Sequence, residues 1–173
     1  MAHGGGPPDH VWALDYRHDL TVDGRALRFC NVIDEFARKA LATRPRRSLN
    51  ADRTTGLLDE LILTTGRKPE HIRMHNGPDL TSHALADWAP LGSVGAVFIE
   101  PGAPWESGHC ESFNGRFRDE FLTTETFGSL LEAQILAKDW RTECNTYRPH
   151  SALNDLTPEG FRMHCETTHQ QLS

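Results

Sequence analysis

One carboxylate stands inside the first apolar run of this chain, and its placement constrains everything that follows. Residues 11–16 read VWALDY. A short apolar run of this kind predicts a buried strand, with Asp15 in its C-terminal half. Asp23-Gly24 is a hairpin signal, and residues 26–33 (ALRFCNVI) read as the returning strand. Residues 40–49 should supply a third strand, yet they contain Arg44, Pro45, Arg46 and Arg47. Proline has no N–H for a sheet ladder, so this strand is expected on an edge.

The remaining pattern alternates. Asn50 or Asp52 can cap a helix running to about Thr65, with Leu57, Leu58, Leu61 and Ile62 on its apolar face and Gly66 at its end. Residues 71–75 (HIRMH) predict a short strand closed by the Asn76-Gly77-Pro78 turn. Ser82 opens a short helix through Trp88, and residues 95–99 (GAVFI) form the fifth strand. From Cys110 the chain reads as helical to about Leu122. A last helix over 129–144 carries Leu130, Ala133, Ala137, Trp140 and Cys144 on one seam. The order predicts a mixed α/β domain around one central sheet. At 173 residues this is a single domain, preceded by a flexible lead-in over residues 1–9.

Charge and cysteine usage narrow the function. With 24 acidic and 18 basic side chains the net charge is −6. That opposes nucleic-acid binding by bulk attraction alone, but not a metal-dependent nucleic-acid enzyme, whose site concentrates carboxylates. Cys30, Cys110, Cys144 and Cys165 are far apart and form no C-x-x-C, which argues against a disulfide framework or a zinc knuckle. No apolar run approaches the roughly 18 residues of a membrane span. The opening MAHGGGPPDH lacks the basic start and apolar stretch of a signal peptide. A reducing cytoplasm is the expected location.

Phosphodiester chemistry by two metals needs carboxylates converging on a pair of Mg²⁺ ions about 4 Å apart. Asp15 on a central strand and Glu111 at the start of a long helix are candidates. On a helical wheel Asn114, Gly115 and Arg118 fall within about 60° of Glu111, whereas Cys110, Phe113, Phe117 and Phe121 form another face. One side can pack while the other presents Glu111, Asn114 and Arg118 to a metal or a phosphate backbone. The same spacing is also that of an amphipathic surface helix with a solvated glutamate.

WALDY, RMHNGPD, PGAPWESGHCESFNGRFRDEF and NTYRPHSALNDLTPEGF together resemble the catalytic core of bacterial insertion-sequence transposases. These belong to the retroviral integrase superfamily with its Asp-Asp-Glu triad. The resemblance spans about residues 10–161 and leaves 162–173 as a polar tail. It implies an α/β, ribonuclease H-like fold: a five-stranded mixed sheet in the order 3-2-1-4-5 with helices on both faces. It also implies DNA nicking and transfer of the freed 3′-OH, with Mg²⁺ or Mn²⁺ as cofactor. DNA is the implied partner, together with further transposase subunits in a homo-oligomer, and no membrane is involved.

On this resemblance the first triad Asp falls on Asp15 and the Glu on Glu111. Thirty-five residues separate position 75 from Glu111, which is the family spacing, so the second Asp falls on position 75. There the family pattern Asp-Asn-Gly-Pro has become His75-Asn76-Gly77-Pro78. The triad is broken. A bridging carboxylate supplies charge and oxygen ligands to hard Mg²⁺, whereas a neutral imidazole supplies one nitrogen better suited to transition metals. Protonated, it repels a cation. Metal binding by Asp15 and Glu111 is therefore expected to be weakened or absent. Catalysis is expected to be impaired, with residual Mn²⁺ activity as the alternative, and Asp79 is not expected to replace the lost ligand.

A second reading is a non-catalytic remnant that binds DNA or transposase subunits. A third is a ribonuclease H-like module with no nucleic-acid partner. The resemblance places Asn114, Arg118, Arg148 and Trp105 near DNA. Trp105 can equally pack, and Arg148 can equally serve the end of its helix. Arg44, Arg46 and Arg47 form a basic patch that suits either a phosphate backbone or a solvated edge strand. Family members carry DNA-reading helices before the core. Met1 stands only fourteen residues before Asp15, so no such segment, and no autonomous transposition, is expected here.

Overall fold

In the computed structural model the described residues are 10–74, 84–85, 87–88, 95–98, 108–150 and 153–172, with the side chains of 95–98, 108–111, 169 and 172 left aside. Five strands, β1 (Val11–Leu20), β2 (Ala26–Asp34), β3 (Lys39–Arg46), β4 (His71–Met74) and β5 (Gly95–Phe98), form one sheet in the order β3-β2-β1-β4-β5. β1, β2 and β3 are an antiparallel meander, and β4 and β5 continue parallel to β1. The helices are α1 (Ala51–Thr65), α2 (Gly108–Arg116, running on as a π-helical segment Phe117–Leu122), α3 (Leu130–Thr146) and α4 (Pro158–Leu172).

Local chemistry explains most boundaries. Gly24 takes φ +82 in the β1–β2 turn, a left-handed conformation that glycine adopts without steric cost. Of the two candidate caps of α1, Asn50 holds the position: its side-chain oxygen accepts from the Arg53 N–H at 2.9 Å. Gly66, at φ +68, ends α1 by donating its N–H to the Ile62 carbonyl. Ser129 accepts from the Glu132 N–H at 3.1 Å, while Glu132 accepts from the Gly128 N–H at 3.1 Å, a reciprocal N-terminal clasp. Pro45 lies on β3 at the sheet edge, opposite Phe29.

Side chains alternate across the sheet, and each face has its own core. Trp12, Leu14, Cys30, Val32, Ile72 and Met74 pack against Leu57, Leu58 and Leu61 of α1. On the opposite face Leu27 and Phe29 meet Phe117 and Phe121 of α2 and Ala133, Ala137, Trp140 and Cys144 of α3. Helices therefore cover both faces. Asn145 ties α3 to β3, accepting from the Ala40 N–H at 2.9 Å and donating to its carbonyl at 2.8 Å.

Two features differ from the sequence reading. Residues 162–172 are not a frayed polar tail but the body of α4, and α3 is not the last helix. Charge is a main anchor of α4, beside a Phe36–Phe161 ring contact at 5.5 Å: Arg162 is 3% exposed and its guanidinium lies 3.6 Å from fully buried Asp34. Lys39–Glu159 and Arg67–Glu166 ion pairs flank it. Of the short helix expected over 82–88 only 84–85 and 87–88 are described, and these are helical. Among the described residues no helix is long and apolar enough to cross a membrane.

Candidate active site

Asp15 lies on β1, with β2 on one side and β4 on the other. Its side chain belongs to the face covered by α2 and α3, and the residue is 6% exposed. Its neighbour across the antiparallel ladder is Asn31, whose neighbour in turn is Thr43 on β3. Three polar residues thus cross three strands beneath the helices, with Asn31 fully buried and Thr43 at 6% exposure. Both amide atoms of Asn31 and the Thr43 hydroxyl have no hydrogen-bond partner among the described residues. The Arg17 guanidinium, two residues along β1, stands with Nε 3.0 Å from Asp15 Oδ2.

β4 runs parallel to β1, and its last residue, Met74, pairs with Leu14, one step before Asp15. His75 itself lies outside the described residues, as do Asp79 and Trp105. Glu111 lies within α2, and its side chain is among those left aside. Two residues further on, Phe113 packs against Ala13 and Ile33. Ala13 shares the sheet face of Asp15, so the first half of α2 crosses that face close to the carboxylate.

The helical-wheel grouping of Asn114 with Arg118 does not produce a common surface. Asn114 is 2% exposed, whereas the Arg118 side chain is 65% exposed and ion-paired with Asp119 at 2.9 Å. From Phe117 the helix continues as a π-helical segment, in which the Thr123 N–H bonds to the Arg118 carbonyl, five residues back. Arg148 pairs with Glu120 of α2 and, at 3.3 Å, with Glu143 of α3.

His150, which with Arg148 could contact phosphate, gains two cationic neighbours that the motifs did not single out. Arg116 Nη1 lies 3.3 Å from His150 Nε2. Burial first, then the charges of Arg116, Arg38 and Arg148, hold the His150 imidazole below its ordinary range. Arg38 sits in the β2–β3 turn at φ +54. Arg116 lies inside the FNGRF motif but off the Glu111 stripe, and Arg38 carries no local signal, so only the fold unites them. Converging guanidiniums suit phosphate oxygens.

The basic patch on β3 divides. Arg44 is committed to Glu60 by contacts of 3.0 and 3.2 Å. Arg47 donates to the Thr21 hydroxyl at 2.7 Å and to the Ala26 carbonyl at 3.2 Å. Arg46 lines an open cleft of about 410 Å³ with Arg44, Lys138 and Arg141. Burial, then the charge of Asp15, push the Cys30 thiol up to about 12, and burial does the same to Cys144. Neither is a nucleophile. His109 and Cys110 lie among the side chains left aside.

The sheet order, the meander-then-parallel topology and helices on both faces are those of a ribonuclease H-like fold. Over residues 93–158 the chain matches the family described as Integrase core domain. It is 33% identical over 160 residues to the 39.2 kDa protein of insertion element IS476 from Xanthomonas euvesicatoria, covering 92% of this chain and 46% of that protein. It is 35% identical over 156 residues to the 31.7 kDa protein of insertion element IS407 from Burkholderia multivorans, covering 90% of this chain and 56% of that protein. The chain spans about half the length of these curated relatives. Its fold is similar to that of the HTLV-2 integrase catalytic core domain solved in complex with magnesium in a trimeric form. The TM-score is 0.69 at 17% identity, over 91% of this chain and 99% of that one. Residues 93–158 thus match the integrase core domain family, and the chain as a whole is similar to part of these insertion-element proteins.

Proposed function

We propose that this chain is a metal-dependent DNA nicking and strand-transfer domain whose chemistry is impaired by His75. The observation that carries this reading is the register of β4 on β1. It ends one step before Asp15, and the next residue in the chain is a histidine where the resemblance calls for the second Asp.

The proposed donor set is Asp15, Glu111 and His75. Two carboxylates and an imidazole fall short of what a pair of hard Mg²⁺ ions requires, because the shared charge and oxygen ligands of the second Asp are missing. Arg17 opposes the same ions: its guanidinium sits 3.0 Å from the Asp15 oxygen that a cation would take. The residues do not fit a two-ion site, so no reaction step is assigned to one. Weak binding of one ion by Asp15 and Glu111 is what the set supports.

For the DNA path the reading keeps Arg118 and Arg148 and adds Arg116 and Arg38, whose positive charges gather around His150. Trp105 stays in the reading on the resemblance alone. Asn114, at 2% exposure, is left out of the surface offered to DNA. The Arg17–Asp15 ion pair favours the second reading, a non-catalytic core that binds DNA or intact transposase subunits without cutting.

The test is a strand-transfer assay on a DNA carrying a free 3′-OH, in Mg²⁺ and in Mn²⁺, with the unmodified chain, His75→Asp and His75→Asp/Asp15→Ala. The expected result is product near background for the unmodified chain and a gain of at least about 100-fold, or about 2.7 kcal/mol of barrier, in His75→Asp. The added Asp15→Ala change should remove that gain. Equal Mg²⁺-dependent product from the unmodified chain and His75→Asp overturns the impairment. Binding of DNA by all three proteins without product from any establishes the non-catalytic reading.

A further inference from the structure

We propose that the opposite end of the sheet carries a separate site for a zinc-like divalent ion, formed by His10, Glu70 and His71. The parallel pairing of β1 with β4 creates it. Val11 and His71 are register partners, and the His71 N–H donates to the His10 carbonyl at 2.9 Å. Two histidines 61 positions apart in the chain are thereby placed side by side, their rings edge to face with centroids 5.2 Å apart. Glu70 reaches the same point, its Oε2 lying 2.9 Å from His10 Nδ1. One ligand atom from each of the three residues falls within 4.8 Å of the other two.

The donors select the ion. Two imidazole nitrogens and one carboxylate oxygen form a set that binds Zn²⁺ and its transition-metal neighbours, while Mg²⁺ prefers an all-oxygen shell. His71 adds a second observation: its Nδ1 is buried and has no hydrogen-bond partner among the described residues. A buried ring nitrogen in that condition is uncommon and calls for an explanation. A tetrahedral Zn²⁺ with bonds of about 2.1 Å needs ligand atoms about 3.4 Å apart, so the trio must close by about 1 Å. Glu70 is exposed and can make most of that movement.

The neighbouring carboxylate is already committed, since both oxygens of Glu35 accept from Arg73 at 2.9 and 3.0 Å. Among the described residues no further donor joins the three, which leaves the fourth position to water. The site is also remote from the strand-transfer carboxylate, because Asp15 lies four residues beyond Val11 on β1, about 13 Å along the strand. An ion here would join the first residues of the two central strands and stabilise the folded state by mass action.

The test uses the full chain without a histidine tag, stripped with chelator and dialysed. ZnCl₂ is titrated in competition with a chromogenic chelator, with millimolar Mg²⁺ present throughout, and thermal unfolding is followed with and without one equivalent of Zn²⁺. One equivalent should bind at micromolar Kd or tighter and raise the melting midpoint. His10→Gln, Glu70→Gln and His71→Gln should each weaken binding about 10-fold or more, whereas Asp15→Ala and His75→Asp should retain it. Glu70→Gln, at an exposed position, keeps the test decisive if His71→Gln fails to fold. Absence of stoichiometric binding overturns the proposal, as does binding that survives all three ligand changes or is lost in Asp15→Ala or His75→Asp.

Discussion

The two faces of the sheet are built on opposite principles. Beneath α1 the contacts are mainly apolar, with Trp12, Leu14, Cys30, Val32, Leu58 and Ile72 all at 1% exposure or less, and the buried Thr54 hydroxyl is satisfied by Tyr16. Beneath α2 and α3 the core is aromatic, with Phe29 touching Phe117, Phe121 and Phe127 at centroid distances of 5.3 to 6.0 Å. That second core is interrupted. Asp15, Asn31 and Thr43 run across it, and the Trp140 indole N–H joins Asn31 and Thr43 without a hydrogen-bond partner among the described residues. A fully satisfied apolar face fixes the fold, while the face carrying the proposed site accepts polar groups that packing alone would remove.

The comparison can be broken most forcefully in the cores. Phe117→Ala should cost about 3–5 kcal/mol and Leu58→Ala about 2–5 kcal/mol in denaturant unfolding. A Phe117→Ala loss below 1 kcal/mol would show that the aromatic face is not a true core. Arg162→Ala should cost about 3–5 kcal/mol, because it leaves Asp34 charged and buried without its cation. Proteolysis should then enter first at α4, and unchanged resistance there would refute the electrostatic anchor.

Smaller effects sharpen the contrast. Asn31→Leu should be neutral or stabilising by about 1 kcal/mol, since it removes an unsatisfied buried amide at similar volume. A large loss would mean that the polar row is structural. The subtlest expected effect is in pH dependence. His150 is held below its ordinary range by burial and then by its arginine neighbours, so its neutral form is favoured in the folded state. As pH falls below about 6.5 the unfolded chain takes up a proton that the folded chain resists, and stability declines until the folded pKa is passed. His150→Gln should flatten that part of the stability profile, measured as midpoint denaturant concentration against pH.

Much of the fold was legible because its signals are local. Gly24, Asn50, Gly66 and Ser129 each act on backbone within a few residues, and Pro45 speaks through its own missing N–H. The helix α4 escaped because ion pairs to Asp34, Lys39 and Arg67 hold it, and such partners leave no 3.6-residue period. The expected surface of Asn114 and Arg118 failed because a wheel orders residues around one helix and carries no record of the tertiary packing that buries Asn114 and leaves Arg118 exposed. Of the candidate site, Asp15 was legible as an acid in an apolar run. The Arg38–Arg116–His150 group and the His10–Glu70–His71 group were not, since each is assembled by tertiary pairing. His75, Asp79 and Trp105 lie outside the described residues, and the reading of them rests on the resemblance.

The parallel register of β1 with β4 also sets an order of assembly. β1 meets β2 through a turn of a few residues but meets β4 only across sixty positions of chain. Closing a loop about ten times longer costs about 2 kcal/mol more in chain entropy. The meander can form early, therefore, while one side of β1 still presents an unpaired edge on which another strand could add. That open edge is the side on which β1 waits for its parallel partner strand, so α1 and the crossover it belongs to guard the chain against mispairing as well as completing the sheet.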